Sequence, residues 1–399
     1  MADFPRFEYS MNDVKRAGEA LRDEVMWDED RRDELIEIFK IANNWIDVHF
    51  LPMSRVRQET VGRIRKHKLE GITASRLKRM RSVRKKLGRI STKLDQIQDL
   101  GGCRAVLRSI ADANRLVEAF RSDPRHVLHN EKDYIDKPKV GGYRSYHLNF
   151  KFRGEGPFEA FTGRRVELQV RTRLQHSWAT AVEAVGLFRR EDIKAGEGDP
   201  DWRRLFDLMS AELAVAERCP EPEHLPGQQE RVREIIDLNR KLKALEMLDA
   251  MRVAVRHTEW KVGEGADCYR IEFDLEAQAV TINSHYGAIS GIAEQHAVEQ
   301  SDSLSSRSTI NTVFVEADRI SDLRAAYPNY FGDVEVFSRN LRDITNGKGA
   351  REYTMPPRIT VPPPQEKTAD ISWMRGGGRG RRWVERDPHS PKRGWSGRK

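Results

Sequence analysis

One short segment of the chain alternates apolar and polar side chains with a period of two. In residues 166–172 the apolar positions are Val166, Leu168 and Val170, and the polar positions are Glu167, Gln169 and Arg171. This alternation predicts a β-strand whose apolar face is buried. An acid, an amide and a guanidinium on the opposite face are poorly explained by packing. That face either meets solvent or lines a site, and the neighbouring sequence favours a site.

Similar patterns predict the other elements as far as residue 220. Residues 8–60 carry apolar side chains three and four positions apart and are predicted to be helical, with an interruption at Pro52. Residues 76–90 fit an amphipathic helix. Strands are predicted at 103–107 and 146–152, and helices at 112–120, 174–188 and 202–217. In the helix at 174–188, His176 and Glu183 lie on the polar side and are expected at the surface.

A second unit follows a segment that breaks regular structure. Prolines and a glycine between residues 219 and 227 indicate a linker. A long helix over 228–253 and strands at 269–275, 278–284 and 312–316 then predict a small α/β domain. We therefore divide the chain into an N-terminal helical segment (1–60), a first domain (61–220), an accessory α/β domain (228–350) and a tail (351–399).

The tail differs from the rest of the chain in composition. Its proline runs and its Arg-Gly-rich segment predict disorder. It holds 12 Lys and Arg against 5 Asp and Glu, so it carries +7 of the net charge of +8. The basic character of the whole chain is therefore no evidence that the folded part binds nucleic acid. The tail itself either binds tRNA or other RNA by charge and Trp stacking, or is a solubilising end.

Length and composition exclude several classes of protein. The 399 residues contain no apolar run approaching the ~20 residues that span a bilayer, and the first residues lack the pattern of a signal peptide. The three cysteines, Cys103, Cys219 and Cys268, are far apart, so neither a disulfide framework nor a CxxC zinc site is indicated. We expect a cytoplasmic protein without membrane association and leave its oligomeric state open.

Four clusters of polar residues follow one another in the domain at 61–220. They are Arg76, Lys78, Ser82 and Lys86; Asp99, Gly102 and Arg104; Lys132 to Lys139 with Gly142 to His147; and Glu167 with Gln169. Lys and Arg neutralise a nucleoside triphosphate and the charge that develops as it reacts. Two carboxylates can hold Mg²⁺, which prefers oxygen ligands. Asp99 precedes a strand and Glu167 lies in one, so the two can converge if their strands are neighbours.

The order and spacing of these clusters resemble the synthetase domain of the RelA/SpoT family over roughly residues 60–190, and we therefore call the domain at 61–220 synthetase-like. That family moves pyrophosphate from ATP to the ribose 3′-hydroxyl of GDP or GTP and so makes (p)ppGpp. The resemblance implies an α/β, nucleotidyltransferase-like fold in which a mixed sheet is flanked by helices. The second small α/β domain and the disordered basic tail would follow it, as in a small-synthetase-type relative with its own accessory domain.

The resemblance also implies a role for each matching residue. The ATP-binding residues would be Arg76, Lys78, Ser82, Lys86 and Arg104, and the acceptor-binding residues would be Lys132, Lys139, Tyr143 and His147. Asp99 and Glu167 would ligate Mg²⁺. Glu167 would also orient or deprotonate the acceptor hydroxyl and Gln169 would position it, which completes the catalytic set.

The chain also departs from the pattern of the family. Gly141 stands where the family often has Asn before Gly-Tyr, so recognition of guanine is open. The chain has no His-Asp dipeptide, so hydrolysis of (p)ppGpp is not expected. One alternative is a growth-arresting toxin that pyrophosphorylates the 3′ end of tRNA or adenosine nucleotides. Another is a non-catalytic regulator that binds nucleotide or RNA, against which the pair of Asp99 and Glu167 argues.

Overall fold

The computed structural model describes most of the chain up to residue 351. The described residues are 4–22, 31–254, 257–261, 266, 268–274, 276–277, 279–286, 288–304, 310–317, 320–327 and 334–351. The predicted disorder and RNA binding of the tail fall almost entirely outside them. Across the described residues, none of the helices combines the length and apolar character that a transmembrane helix requires.

A mixed sheet forms the centre of the fold. Within the described residues it has nine strands, in the spatial order β3-β4-β5-β2-β1-β9-β7-β8-β6. The strands are β1 Gly71–Leu77, β2 Gly101–Leu107, β3 Val127–Asp133, β4 Tyr146–Lys151, β5 Arg165–Thr172, β6 His257–Lys261, β7 Cys268–Asp274, β8 Ala279–His285 and β9 Ile310–Glu316. The pairs β2–β5 and β6–β8 are parallel, and the other pairs are antiparallel.

Helices flank the sheet, so the predicted architecture of a mixed sheet with helices around it is confirmed. The helices of the described residues are α1 Met11–Ala20, α2 Arg32–Asp47, α3 Phe50–Lys66, α4 Met80–Arg89, α5 Ile110–Ser122, α6 Arg173–Arg189, α7 Pro200–Ala216, α8 Gln228–Leu242, α9 Ala244–Ala254, α10 Ala288–Leu304, α11 Ile320–Ala326 and α12 Glu335–Thr345. A core between the sheet, α3 and α5 is separate from one formed by α6, α7, α8, α9 and α12.

The strand predicted from alternation is β5. Its side chains Val166, Leu168 and Val170 are each 0% exposed and pack in the core beneath α3 and α5. Glu167 and Gln169 project from the opposite face, where they line a cavity. The period of two therefore separates the core of the protein from its candidate site.

The prediction of a helix over residues 76–90 is wrong at both ends. Residues up to Leu77 belong to β1, which pairs with β2 from Gly71↔Leu107 to Leu77↔Gly101. The helix α4 begins only at Met80, and Ile90, expected on its buried face, is 49% exposed. Pairing with β2 has overridden the helical spacing of the apolar residues, because a strand is stabilised by a partner that is distant in sequence.

Two other predicted boundaries also move. Pro52 does not interrupt a helix: it lies in the first turn of α3, where the missing N–H costs nothing, and the break falls at Val48 and His49. The helix predicted over 228–253 is divided at Lys243, whose φ of 49° ends α8 in the left-handed conformation. The strands β1, β3 and β6 were not predicted.

The accessory part of the chain is not a separate body. Its strand β9 pairs with β1 through Ser75↔Glu316 and Arg76↔Val315, so β6 to β9 extend the sheet of the synthetase-like part. Residues 1–355 form one compact unit. The segment 219–227 lacks helices and strands, as predicted, but it connects two parts of one structure because the sheet runs through both.

Candidate active site

A cavity of about 820 Å³ lies on the polar face of the central strands. It is lined by eleven of the twelve residues that the sequence indicated, which are Arg76, Lys78, Lys86, Asp99, Arg104, Lys132, Lys139, Tyr143, His147, Glu167 and Gln169. The four clusters of the sequence therefore meet in one place. The volume is in the range of pockets that bind small molecules and cofactors.

Ser82 is the exception among the predicted residues. It lies in α4, its backbone N–H donates to the Arg79 carbonyl at 2.9 Å, and it is not among the residues that line the cavity. The same helix buries Val83 and Leu87 in the core and directs Lys86 toward Asp99. An ATP-binding role for Ser82 stays a prediction.

The register of the sheet aligns the motif residues in two rows. The first row runs from Arg76 on β1 through Gly102 on β2 and Glu167 on β5 to Asn149 on β4. Gly102 has no side chain, which leaves the space between Arg76 and Glu167 open.

The second row lies two residues further along β2. It runs from Arg104 on β2 through Gln169 on β5 and His147 on β4 to Lys132 on β3. Residues two apart on a strand share a face. Both rows therefore line the same cavity. Arg76 and Arg104 lie at one end, Lys132 lies at the other, and the Glu167 carboxylate lies between them.

Two lysines surround Asp99 at the entrance to β2. Lys78 Nζ donates to Asp99 Oδ2 at 2.7 Å, and Lys86 Nζ donates to Oδ1 at 2.9 Å. Burial raises the pKa of the Asp99 carboxyl, but the charges of Lys78 and Lys86 lower it more, to well below its usual range. Burial also lowers the pKa of Lys78, and Asp99 only partly offsets this. Asp99 is thus ionised at neutral pH with both cations beside it.

A continuous chain of hydrogen bonds runs along the polar face of β5 and β4. Arg171 donates to Gln169 Oε1 at 2.8 Å, and Gln169 Nε2 donates to Glu167 Oε2 at 2.7 Å. Glu167 Oε1 lies 2.9 Å from His147 Nδ1, and His147 Nε2 lies 2.9 Å from the Tyr143 hydroxyl. The carboxylate must accept, so Nδ1 carries the proton and, in the neutral ring, Nε2 accepts from Tyr143. The chain fixes the orientation of Glu167 from both sides.

Burial and charge shift the pKa of three groups in this chain. Burial raises the pKa of Glu167, but the hydrogen bond and charge of His147 lower it below its usual value. Burial lowers the pKa of His147, but Tyr143 and Glu167 raise it above its usual value. Burial raises the pKa of Tyr143, but the charges of His147, Arg171 and Lys194 bring it down to about 8. Glu167 is therefore a carboxylate at neutral pH.

Aromatic rings close one side of the cavity. The Tyr143 ring lies edge-on to Trp178, with ring centroids 6.4 Å apart, and Lys139 Nζ is 4.2 Å from the centre of the Tyr134 ring. The backbone at Gly142 has a φ of 86°, and a Cβ there would lie 2.7 Å from Ser210 Cβ. Only glycine fits this close approach to α7, so Gly142 places Tyr143 beside the cavity.

Several residues of the site were not predicted. Asn149 follows His147 by two residues in a strand whose alternation was visible, so the period of two could have identified it. Tyr327 lines the cavity from a distant part of the sequence, and no local pattern indicates it. Arg203 and Arg204 on α7 and Lys194 also line the cavity.

The surface positions predicted for His176 and Glu183 are wrong. His176 is 6% exposed, and its Nε2 donates to the Ala325 carbonyl at 3.0 Å. Glu183 accepts from Lys194 Nζ at 2.6 Å and is partly buried. Burial raises the pKa of the Glu183 carboxyl, but Lys194, Arg104 and Arg76 lower it to well below its usual range. Packing by segments distant in sequence covers the polar side of α6, which its own periodicity cannot reveal.

The donor groups of the cavity suit a magnesium ion. Among the described residues, no group of three or more His, Cys, Asp or Glu side chains is placed to hold a metal ion. Asp99 and Glu167 supply two ionised carboxylates, and the charge of Asp99 raises the pKa of Glu167, as expected of two acids that face the same space. Mg²⁺ is commonly held by one or two carboxylates together with phosphate and water oxygens. The residues present fit that pattern.

Comparisons with known proteins agree with this geometry. Residues 75–191 match the family model described as a region found in RelA / SpoT proteins. The GTP pyrophosphokinase YwaC of Bacillus subtilis is 33% identical over 175 residues, which are 41% of this chain and 79% of YwaC. The GTP pyrophosphokinase YjbM of the same organism is 32% identical over 111 residues, which are 26% of this chain and 51% of YjbM.

Solved structures are also similar, among them that of a GTP pyrophosphokinase family protein from Streptococcus pneumoniae. It is 20% identical with a TM-score of 0.36, over 50% of this chain and 95% of that one. The family model covers the chain from β1 to the end of α6, which are the elements that build most of the cavity. Because that region matches and most of YwaC is covered at 33% identity, the chain belongs to the RelA/SpoT family.

Proposed function

We propose that the protein transfers pyrophosphate from ATP to the ribose 3′-hydroxyl of GDP or GTP, which makes (p)ppGpp, and that the transfer depends on Mg²⁺. The observation that carries the proposal is the arrangement of the two rows. An ionised Glu167, oriented by His147 and Gln169, faces a gap at Gly102, and Arg76 and Arg104 lie on the neighbouring strands. Relatives named GTP pyrophosphokinase support the same reaction class.

The cationic side of the cavity suits the donor. Arg76, Arg104, Lys78 and Lys86 would bind ATP, with Arg76 against the adenine and the other three on the phosphates. Lys78 and Lys86 are already held at the cavity by Asp99. Asp99 and Glu167 would hold Mg²⁺, which when bound neutralises charge on the phosphates. Positioning and charge neutralisation supply most of the rate in phosphoryl-type transfer.

The other side of the cavity suits the acceptor nucleotide. Tyr143 would stack on the base, and Lys132, Lys139 and His147 would bind its phosphates. Glu167 would accept the proton of the 3′-hydroxyl while Gln169 holds the hydroxyl in position. The 3′-oxygen forms a bond to the β-phosphorus of ATP, the bond from that phosphorus to the bridging oxygen of the α-phosphate breaks, and AMP leaves with that oxygen.

The test is a transfer assay with several acceptors. The purified chain is incubated with ATP labelled on the γ-phosphate and Mg²⁺, and separately with GDP, GTP, ATP or deacylated tRNA. We expect label in GDP or GTP, and none when Mg²⁺ is removed by a chelator. Label only in tRNA or in an adenosine nucleotide would replace the proposed acceptor, and Gly141 would then be the first position to examine. Binding of nucleotide without transfer to any acceptor would exclude the enzymatic proposal.

A further inference from the structure

Among the described residues, the C-terminal part of the chain reaches the cavity at Tyr327. Strand β9 lies beside β1, where Val315 pairs with Arg76. The chain then continues through α11 to Tyr327, which is 3% exposed and is one of the residues that line the cavity. A residue from outside the family match at 75–191 therefore contributes to the wall of the site.

Tyr327 contacts both arginines of the cationic side. The guanidinium carbon of Arg104 lies 5.3 Å from the centre of the Tyr327 ring, and that of Arg76 lies 6.0 Å from it. Guanidinium groups at this distance from an aromatic ring are attracted by its electrons. The adjacent carbonyl of Ala326 accepts a hydrogen bond from Arg104 at 2.8 Å. Two cations that repel each other are thus held close together by one short segment.

Other contacts fix this segment in place. The Ala325 carbonyl accepts a hydrogen bond from the buried His176 Nε2 at 3.0 Å, which attaches the end of α11 to α6. Leu323 of α11 is 0% exposed and packs in the core formed with β7, β8 and β9. The contacts of Leu323 and Ala325 therefore fix the chain directly before Tyr327.

We propose that Tyr327, together with the Ala326 carbonyl, is a positioning element that holds Arg76 and Arg104 as one wall of the subsite for the donor nucleotide. The proposal rests on the proposed function, since it takes these arginines as the ATP-binding side. It makes the segment from β9 to Tyr327 a part of the active site. It also gives the accessory part of the chain a direct role in the affinity for ATP.

The test measures binding of an ATP analogue whose α–β bridge is a methylene group, by calorimetry without acceptor. Tyr327→Leu removes the aromatic face, and we expect about tenfold weaker binding. Tyr327→Phe keeps the face, and we expect binding within about twofold of wild type. In steady-state assays the KM for ATP should rise in Tyr327→Leu while the KM for GDP stays unchanged. Leu116→Ala is the control, because Leu116 of α5 is 0% exposed and its truncation lowers thermal stability in the core between the sheet, α3 and α5, which does not include Tyr327.

The outcomes separate this proposal from the proposed function. Unchanged or tighter binding of the analogue by Tyr327→Leu overturns the proposal. Tighter binding would mean that Tyr327 hinders the binding of ATP. Equal weakening in Leu116→Ala also overturns it, since the loss of affinity would then follow the loss of stability alone. If the wild-type chain binds the analogue but transfers no pyrophosphate, the proposed transferase function is wrong. The binding measured with the Tyr327 variants still tests whether Tyr327 positions the two arginines. A wild-type chain that does not bind the analogue overturns both.

Discussion

The hydroxyl of Ser75 donates a hydrogen bond to the buried carboxylate of Glu316 at 2.8 Å. Ser75 is the residue before Arg76, and Glu316 is the last residue of β9. The other carboxylate oxygen of Glu316 accepts from Ser54 at 2.7 Å and from Arg57 at 3.1 Å. One side chain from the accessory part therefore connects α3, β1 and β9 beside the donor side of the cavity.

Glu316→Ala should destabilise the protein strongly. The substitution leaves Arg57 charged, 4% exposed and without this carboxylate. Breaking a buried ion pair in this way costs about 3–5 kcal/mol. The urea midpoint, followed by circular dichroism, should fall markedly. Glu294→Ala is the matched control, because Glu294 is 53% exposed where it pairs with Arg270, and exposed pairs contribute about 0–1 kcal/mol. Equal effects in the two variants would contradict this account of Glu316.

Glu167→Gln should abolish transfer without unfolding the protein. The amide keeps the shape and part of the hydrogen bonding to His147 and Gln169, but it can neither accept a proton nor ligate a cation as a carboxylate does. We expect at least a 100-fold loss of kcat, within the range of about 10²–10⁴ for general acid–base groups. Glu131→Gln on the neighbouring edge strand is the control, because Glu131 pairs with Arg121 and does not line the cavity. Wild-type activity in Glu167→Gln would remove Glu167 from the mechanism.

Two adjacent lysines of α4 offer a matched pair of variants. Lys86 donates to Asp99 in the cavity, whereas Lys85 pairs with Asp192 outside it. Hydrogen bonds to charged groups contribute about 1.5–3 kcal/mol. Lys86→Met should therefore raise the KM for ATP by about tenfold or more, and Lys85→Met should leave it near the wild-type value. Steady-state kinetics at varied ATP decides this, and equal effects would show that only the net charge of the helix matters.

Tyr143 should ionise at a lower pH than a free tyrosine side chain. Its pKa in the folded protein is about 8, below the ordinary value of about 10. An ultraviolet titration of phenolate absorbance should show a step near pH 8 that disappears in Tyr143→Phe. Tyr146→Phe should retain it, because burial and the nearby acids raise the pKa of Tyr146 to about 12.

The same shift has a consequence for stability. An acid whose pKa is lower in the folded state contributes stability that is fully present above its unfolded pKa and is lost as pH falls through its folded pKa. The contribution of Tyr143 ionisation should therefore grow between about pH 8 and about pH 10. The difference in melting temperature between wild type and Tyr143→Phe should widen over that interval. A difference in melting temperature that stays constant over this interval would show that the pKa of Tyr143 is not lowered in the folded protein.

The sequence was most informative where the alternation of apolar and polar residues coincided with residue types that bind nucleotides. The alternation around Glu167 predicted both the strand β5 and the face that lines the cavity, and the motif spacing identified eleven of the cavity residues. Ser82 matched the spacing too, but it is not among the residues that line the cavity. The spacing of residues along a helix shows which of them share one face of the helix. It does not show which residues of that face reach a binding site.

The remaining features depend on pairing between distant segments. Strand β1 was not predicted, and its last two residues were assigned to a helix, because its stability comes from β2 and β9, which no short window contains. Tyr327 and the burial of His176 depend on α11 returning to the sheet. The alignment of Arg76, Gly102 and Glu167 in one row is a property of strand register, and register is fixed only once the strands are assembled.

The pairing of β9 with β1 also covers part of one edge of the synthetase-like part, because Ser75 and Arg76 of β1 pair with β9. In the order of the sheet, β1 lies between β2 and β9, so a chain shortened before β9 would present β1 as an open edge. Such edges expose unpaired N–H and C=O groups that can add a strand from another molecule. We therefore expect a chain without the accessory part to aggregate. Strand β9 covers the edge of the sheet next to Arg76.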